Sequence, residues 1–189
     1  MDGPSNEEDY VTFLRKGKDD LVFQIGLDFK VRDYGLSLNP SVSVSRNKVS
    51  DLAATFYGLP VGASVLGASL ADLFEAEGRE GGLLPRWSVF PQDDLGLVAD
   101  LVVSDLERFG FPFLDAFASL SDIVRHLEHA KKSRFDLGHL AIAFAEMGDF
   151  PNAISAIEEL ASAASGEPPF VAEQADLFVV RFKEHYRLD

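Results

Sequence analysis

The sequence predicts an α+β fold: an amino-terminal antiparallel meander sheet packed against helices, followed by an all-helical carboxy-terminal part. Three observations predict it. Apolar residues alternate with period two over much of residues 10–45, helical spacing takes over from Ser50, and beyond Pro91 helix follows helix. At 189 residues the chain suits one domain with one substantial core, sheet-rich over residues 10–90 and helical over 91–189.

The strands come first. In "LVFQIGLDFKV", Leu21, Phe23, Ile25, Leu27, Phe29 and Val31 alternate with mainly polar partners, the pattern of a half-buried strand. "YVTFL" precedes it across the polar, glycine-containing "RKGKDD", which predicts a hairpin. After "RDYG", Leu36, Leu38, Val42 and Val44 alternate again; Pro40 lacks a backbone donor, so it should mark an edge or a bulge of this third strand. "RWSVF" predicts one more strand, with Trp87 and Val89 on one face.

The helices follow. "SDLAATFYG" should begin at a capping Ser50 and end at Gly58. A second helix is predicted over about Ser69 to Ala76, ending before "GREGG". "QDDLGLVADLVVSDLERFG" places Leu95, Val98, Val102 and Phe109 on one stripe, Asp93 and Asp94 in the first turn where the helix dipole favours anions, and Gly110 as the stop. Pro112 then predicts a sharp corner in "FGFPFLDAF", whose phenylalanines should be buried, each contributing roughly 1.5–3 kcal/mol. Ser119 and Asp122 form a capping-box start for a helix with Leu120, Ile123, Val124 and Leu127 facing inward. Over His139 to Ala161, the small residues Ala141, Ala145 and Ala153 and the intervening Gly148 resemble one tetratricopeptide-type helical hairpin, without the further copies such solenoids need. "FVAEQADLFVVRFKEHY" supplies a last helix.

Composition narrows the function. A net charge of −14 opposes nucleic-acid and anionic-lipid binding and favours basic partners. The charge is segregated: residues 71–115 carry ten acids against three bases, and residues 135–180 carry eight acids and no Lys or Arg. Without cysteine there is no disulfide framework, thiolate metal site or cysteine nucleophile, and the absence of a leader-like start or a long apolar run points to the cytoplasm.

Motifs for chemistry are weak. His126 and His129 sit three apart but on the solvent side of their helix, beside Lys131, Lys132 and Arg134, a poor setting for a cation. The adjacent carboxylate pairs Asp19–Asp20, Asp93–Asp94 and Glu158–Glu159 diverge on a helix, so none is a dyad by spacing, and Glu158 and Glu159 should lie opposite Ile154 and Ile157. The glycine-rich "GLPVGASVLG" and "GREGG" lack a P-loop lysine and a dinucleotide fingerprint. No catalytic residue, metal, cofactor or small-molecule ligand is expected.

These features favour a binding protein that recognises a basic protein. The order of hairpin, "GLSLNPSVSVSRNKVSDL", "RWSVF", acidic-start helix and "FGFPFLDAFASLSDIVRHLE" resembles, over about Tyr10 to His129, bacterial domains similar to immunity proteins encoded beside polymorphic or type VI secreted toxins. The resemblance implies an inhibitor of a cognate toxin, one that acts on nucleic acid or nucleotides and has a basic cleft for an acidic protein to occlude. Candidate contact residues are Glu146, Asp149, Glu158, Glu159, Glu167, Glu173 and Asp176 in the base-free tail, with Asp93, Asp94 and Asp100 as a second patch. Two alternatives have their own signatures. A peptide adaptor built on the helical hairpin calls for Phe144, Phe150 and Phe170 exposed in a concave surface; a small enzyme calls for a pocket with His139 or His185 beside a carboxylate.

Overall fold

The structure is a computed structural model and describes residues 8–33, 35–59, 64–77, 87–129 and 132–188. The element order is β1 (Glu8–Lys16), β2 (Leu21–Arg32), β3 (Gly35–Arg46), α1 (Asn47–Tyr57), β4 (Leu66–Ser69), α2 (Leu70–Ala76), β5 (Ser88–Val89), α3 (Leu95–Asp105), α4 (Phe111–Asp115), α5 (Leu120–His129), α6 (Arg134–Glu146), α7 (Phe150–Ala164) and α8 (Pro169–Tyr186). An antiparallel amino-terminal sheet followed by an all-helical carboxy-terminal part makes the chain α+β. "GREGG", Arg86 and Lys131 lie outside the described residues. The described residues gather into two compact units: 8–16, 22–44 and 66–117 form a sheet unit, and 17–21, 45–65 and 118–188 form a helical unit.

In the sheet unit the strand order is β1-β2-β3-β4, with β5 also paired to β3. β1 and β2 run antiparallel in the register Phe13↔Ile25. β3 is central, which corrects the expected edge. β4 pairs Ser41 to Val44 and β5 pairs Leu36 and Ser37 on the same side of β3, leaving Pro40 in the interval between them. The Leu38 N–H donates to the Trp87 carbonyl at 3.0 Å on that side. Backbone donors alternate, so the donor that Pro40 lacks would point into the gap and no ladder bond is lost. The four-residue β4, missed in the sequence, leads into Ser69, whose hydroxyl accepts from the Asp72 N–H while Asp72 accepts from the Ser69 N–H, a complete capping box for α2.

Gly110 does not stop a helix. One π-helical turn (Leu106–Gly110) carries α3 directly into α4, and Gly110 keeps right-handed helical angles, φ −70° and ψ −49°. Its lack of a side chain serves packing: a Cβ there would stand 3.0 Å from Val42 Cγ1 and 3.1 Å from Leu106 Cδ2. Pro112 follows directly after the π turn, in which the Phe111 N–H reaches back five residues to the Leu106 carbonyl; such an interruption of the regular ladder is where a continuous helix accommodates a residue without a donor. The predicted corner is therefore a helical segment, and its phenylalanines divide: Phe109 and Phe117 are buried, Phe113 is half-buried and Phe111 is exposed. Phe109 packs on Phe74 with centroids 4.6 Å apart, and the Trp87 indole N–H donates to buried Asp105 at 2.9 Å.

In the helical unit, Ser50 is buried inside α1 and does not cap it. The helix begins three residues earlier because a residue remote in sequence caps it. Asp20, held with Asp19 at positive φ in the turn after β1, accepts from the Lys48 N–H and the Asn47 side-chain amide, each at 3.2 Å. Gly58 ends α1 in the left-handed region at φ +69°, as its sequence position predicts. α5 starts at the Ser119–Asp122 box and buries Leu120, Ile123, Val124 and Leu127. α6 and α7 form the predicted hairpin, with Ala141, Ala145 and Ala153 buried and Gly148 at φ +79° in the turn. α8 packs against α1 and α7, burying Phe178 and Phe182 against Phe56.

Candidate functional site

Apolar side chains left in solvent occur in both units, Phe170 and Val180 among them in the helical unit, but in the sheet unit several of them border one cleft. β1 is an edge strand whose residues Tyr10 to Lys16 are all exposed, including Phe13 (57%) and Leu14 (66%). A long edge strand with apolar side chains offers unpaired backbone groups and hydrocarbon together. Along the face of β2 that carries Phe13 in register, Phe23 is buried, Ile25, Leu27 and Phe29 are half-buried, and Val31 is exposed, against expectation for that stripe.

α3 has apolar residues nearly all round. Leu95, Leu97 and Val103 are exposed while Val102 is buried, so the predicted stripe at Leu95 and Val98 covers the sheet only in part. Between the strands and α3 opens a cleft of about 430 Å³, walled by Phe13, Ile25, Leu27 and Phe29 on one side and by Leu95, Ala99 and Val103 on the other. A second cavity of about 260 Å³ shares Phe13 and Ile25 with the first and reaches Leu14 and Phe111. Exposed Phe111 thus belongs to the rim of a groove and not to the core.

The ten predicted acids fall into three groups. Four serve the fold. Asp94 caps α3 by accepting from the Gly96 N–H at 2.8 Å, Asp93 accepts from the Phe90 N–H at 2.7 Å, and Asp149 caps α7. Glu146, expected on an open face, is held by Lys48 Nζ at 2.5 Å and by the Tyr186 hydroxyl at 2.9 Å. Burial raises the Glu146 pKa, but these two donors outweigh it and the net shift is downward. Glu159 is exposed yet paired with Lys132 at 3.5 Å. The other five, Asp100, Glu158, Glu167, Glu173 and Asp176, are exposed with no cation in ion-pair reach among the described residues. Asp100 is on α3, the cleft wall; the other four belong to the helical unit. Ile154, expected opposite Glu158 and Glu159, is itself partly exposed, so of the two isoleucines Ile157 lies on the buried side of α7, with Ala153, Ala156 and Leu160.

The histidines divide likewise. His126 and His129 are exposed on α5, and His185 is exposed beside Phe56 and Tyr186. His139 is buried and lines a separate cavity in the helical unit that also holds Asp136. Among the described residues no three His, Asp or Glu side chains gather closely enough to hold a metal ion, and no helix is long and apolar enough to cross a membrane. Of the adaptor's three aromatics, Phe144 is buried while Phe150 and Phe170 are exposed.

No protein-family model, curated protein or solved structure matches the chain.

The groove was missed because its residues sit in segments read only for secondary structure. Two signals were present. "YVTFL" is apolar on both faces of a strand, and "LGLVADLVV" is apolar around the whole helix, more than one buried face requires.

Proposed function

We propose that this chain is a protein-binding inhibitor of the immunity type. It takes a basic partner, a secreted toxin enzyme that acts on nucleic acid or nucleotides, onto the groove between β1, β2 and α3, and it works by occlusion with no bond-making chemistry. The supporting observation is the exposed apolar groove itself: contiguous hydrocarbon of this kind on a folded surface is the usual mark of a protein contact. Charge selects the partner. Of the acids near the groove, Asp100 lies in α3 itself, Asp93 and Asp94 just before it and Glu107 just after it, where Arg108 lies over the Phe109 ring. Buried apolar side chains hold a complex while surrounding charge sets its rate of formation, so Phe13 and Leu95 are the anchors and the acids the steering. The toxin assignment rests on the sequence resemblance.

The test is a binding measurement on the product of the reading frame neighbouring that of this chain, which the proposal expects to be a toxin. A tight complex is expected. Phe13→Asp combined with Leu95→Asp should weaken it at least about tenfold, mainly through faster dissociation. Reversing Glu158 and Glu173 to lysine should slow association and flatten its salt dependence, with little effect on dissociation. Absence of a complex, or a complex indifferent to the groove variants, contradicts the proposal.

A further inference from the structure

The helical unit contains a polar group whose burial the docking reading leaves unexplained. α6 presents nine consecutive buried residues, Leu137 to Ala145, and its approach to α1 and α8 is very close. A Cβ on Gly138 would stand 2.6 Å from the Tyr57 hydroxyl and 3.0 Å from Phe178 Cε2, and Tyr57 is fixed there by donating to the Arg134 carbonyl at 2.8 Å. His139 is the next residue. Its side chain is more than nine-tenths buried, and its Nδ1, like Ser50 Oγ and Arg134 Nη1, is buried with no hydrogen-bond partner among the described residues. An orphaned buried polar atom costs about 1–3 kcal/mol, and native folds rarely carry one without a reason.

Beside it opens a cavity of about 300 Å³, at the small end of ligand sites. Ala54, Leu59, Val65 and Phe135 give it apolar walls, while Asp136 and His139, with Ser64, supply the polar groups. Asp136 spends one oxygen, Oδ2, on the Ser133 N–H at 2.7 Å; its other oxygen has no donor among the described residues. Burial pushes His139 down to about 4, so near neutral pH the ring is uncharged, with one nitrogen to donate and one to accept; among the described lining residues Asp136 is the charged one, and the Arg134 guanidinium lies 4.7 Å from the centre of the lining Phe135 ring. The Asp136 carboxylate suits a donor.

We infer that this cavity binds a small organic molecule with a short hydrocarbon body and a terminal hydroxyl or amine, hydrogen-bonded by the Asp136 carboxylate and the His139 imidazole. The site lies wholly within the helical unit and is independent of the groove.

The test follows the imidazole nitrogens of the full chain by long-range ¹H–¹⁵N NMR during titration with 1-butanol, n-butylamine and butyrate. Saturable shifts at His139 and at the Ala54, Leu59 and Val65 methyls are expected with the alcohol or the amine and not with the carboxylate. The stronger of the two active probes tells a neutral donor from a cationic one. Leu59→Trp changes a residue that is 38% exposed, so the fold should tolerate it. It should fill the cavity and weaken binding at least about tenfold. The inference is overturned by a hydrated cavity only, seen as a long-lived water beside His139 with no saturable response to either donor. It is equally overturned by equal shifts from butyrate, or by binding undiminished in the Leu59→Trp chain.

Discussion

In the helical unit Phe178 and Phe182 are fully buried and pack edge-on against Phe56, whereas in the sheet unit Phe13, Leu95 and Leu97 stand more than half in solvent. Both units are built from the same apolar vocabulary, so hydrophobic content alone does not distinguish them. Completion does. α6 is closed off by α1, α5, α7 and α8, which bury aromatic, aliphatic and small side chains such as Phe56, Ile123, Ala153 and Phe178, while α3 meets the sheet along part of its length and leaves a groove. Apolar surface left open costs solubility, and a contiguous patch of it on a folded protein commonly marks a contact site.

The contrast can be attacked first where it should be strongest. Phe178→Ala removes a fully buried ring that touches Phe56, Tyr57 and Phe182, and should lower unfolding stability by about 3–5 kcal/mol in a denaturant titration. Gly138→Ala should cost about 1–3 kcal/mol, because the new methyl meets the fixed Tyr57 hydroxyl.

Acidification gives a graded version. Burial holds the folded-state pKa of His139 at about 4, below an unfolded value near 6.5, so stability is complete above about pH 6.5 and is lost as pH falls towards 4. The slope is at most about 1.4 kcal/mol per pH unit, and His139→Leu should remove it from a pH series of melting temperatures. Glu146, also depressed when folded, contributes stability present above its unfolded pKa and lost as pH falls through its lower folded value. Glu146→Gln should flatten that more acidic limb.

The smallest effect belongs to the groove. Leu95→Ser, in the groove wall and mostly exposed, should change stability by no more than about 0.5 kcal/mol. A loss comparable to that of Phe178→Ala would show that the groove is part of the core.

The sequence made legible what local chemistry determines. The alternation in "LVFQIGLDFKV", the αL stop at Gly58, the Ser119–Asp122 box and the small-residue hairpin around Gly148 are each encoded within a few residues, and each stands where expected. What tertiary contacts determine was misread. Ser50 resembles a cap, but Asp20, 30 positions earlier, caps the helix from another turn. Gly110 resembles a stop, but it is needed where Val42 and Leu106 crowd the backbone. The acids show the same division. Their number and segregation were visible, yet only the folded chain separates Glu146, bonded to Lys48 and Tyr186, from Glu158, Glu173 and Asp176, which have no ion-pair partner among the described residues. The groove needed three-dimensional information of another kind, since exposure depends on what fails to cover a residue.

Hydrogen–deuterium exchange on the full chain, alone and saturated with the partner proposed above, tests the docking account most directly. Slowed exchange concentrated in β1 and α3, with α7 and α8 little changed, is the predicted result. Protection confined to α7 and α8, with β1 and α3 exchanging as in the free chain, would contradict it and move the interface to the acidic helices.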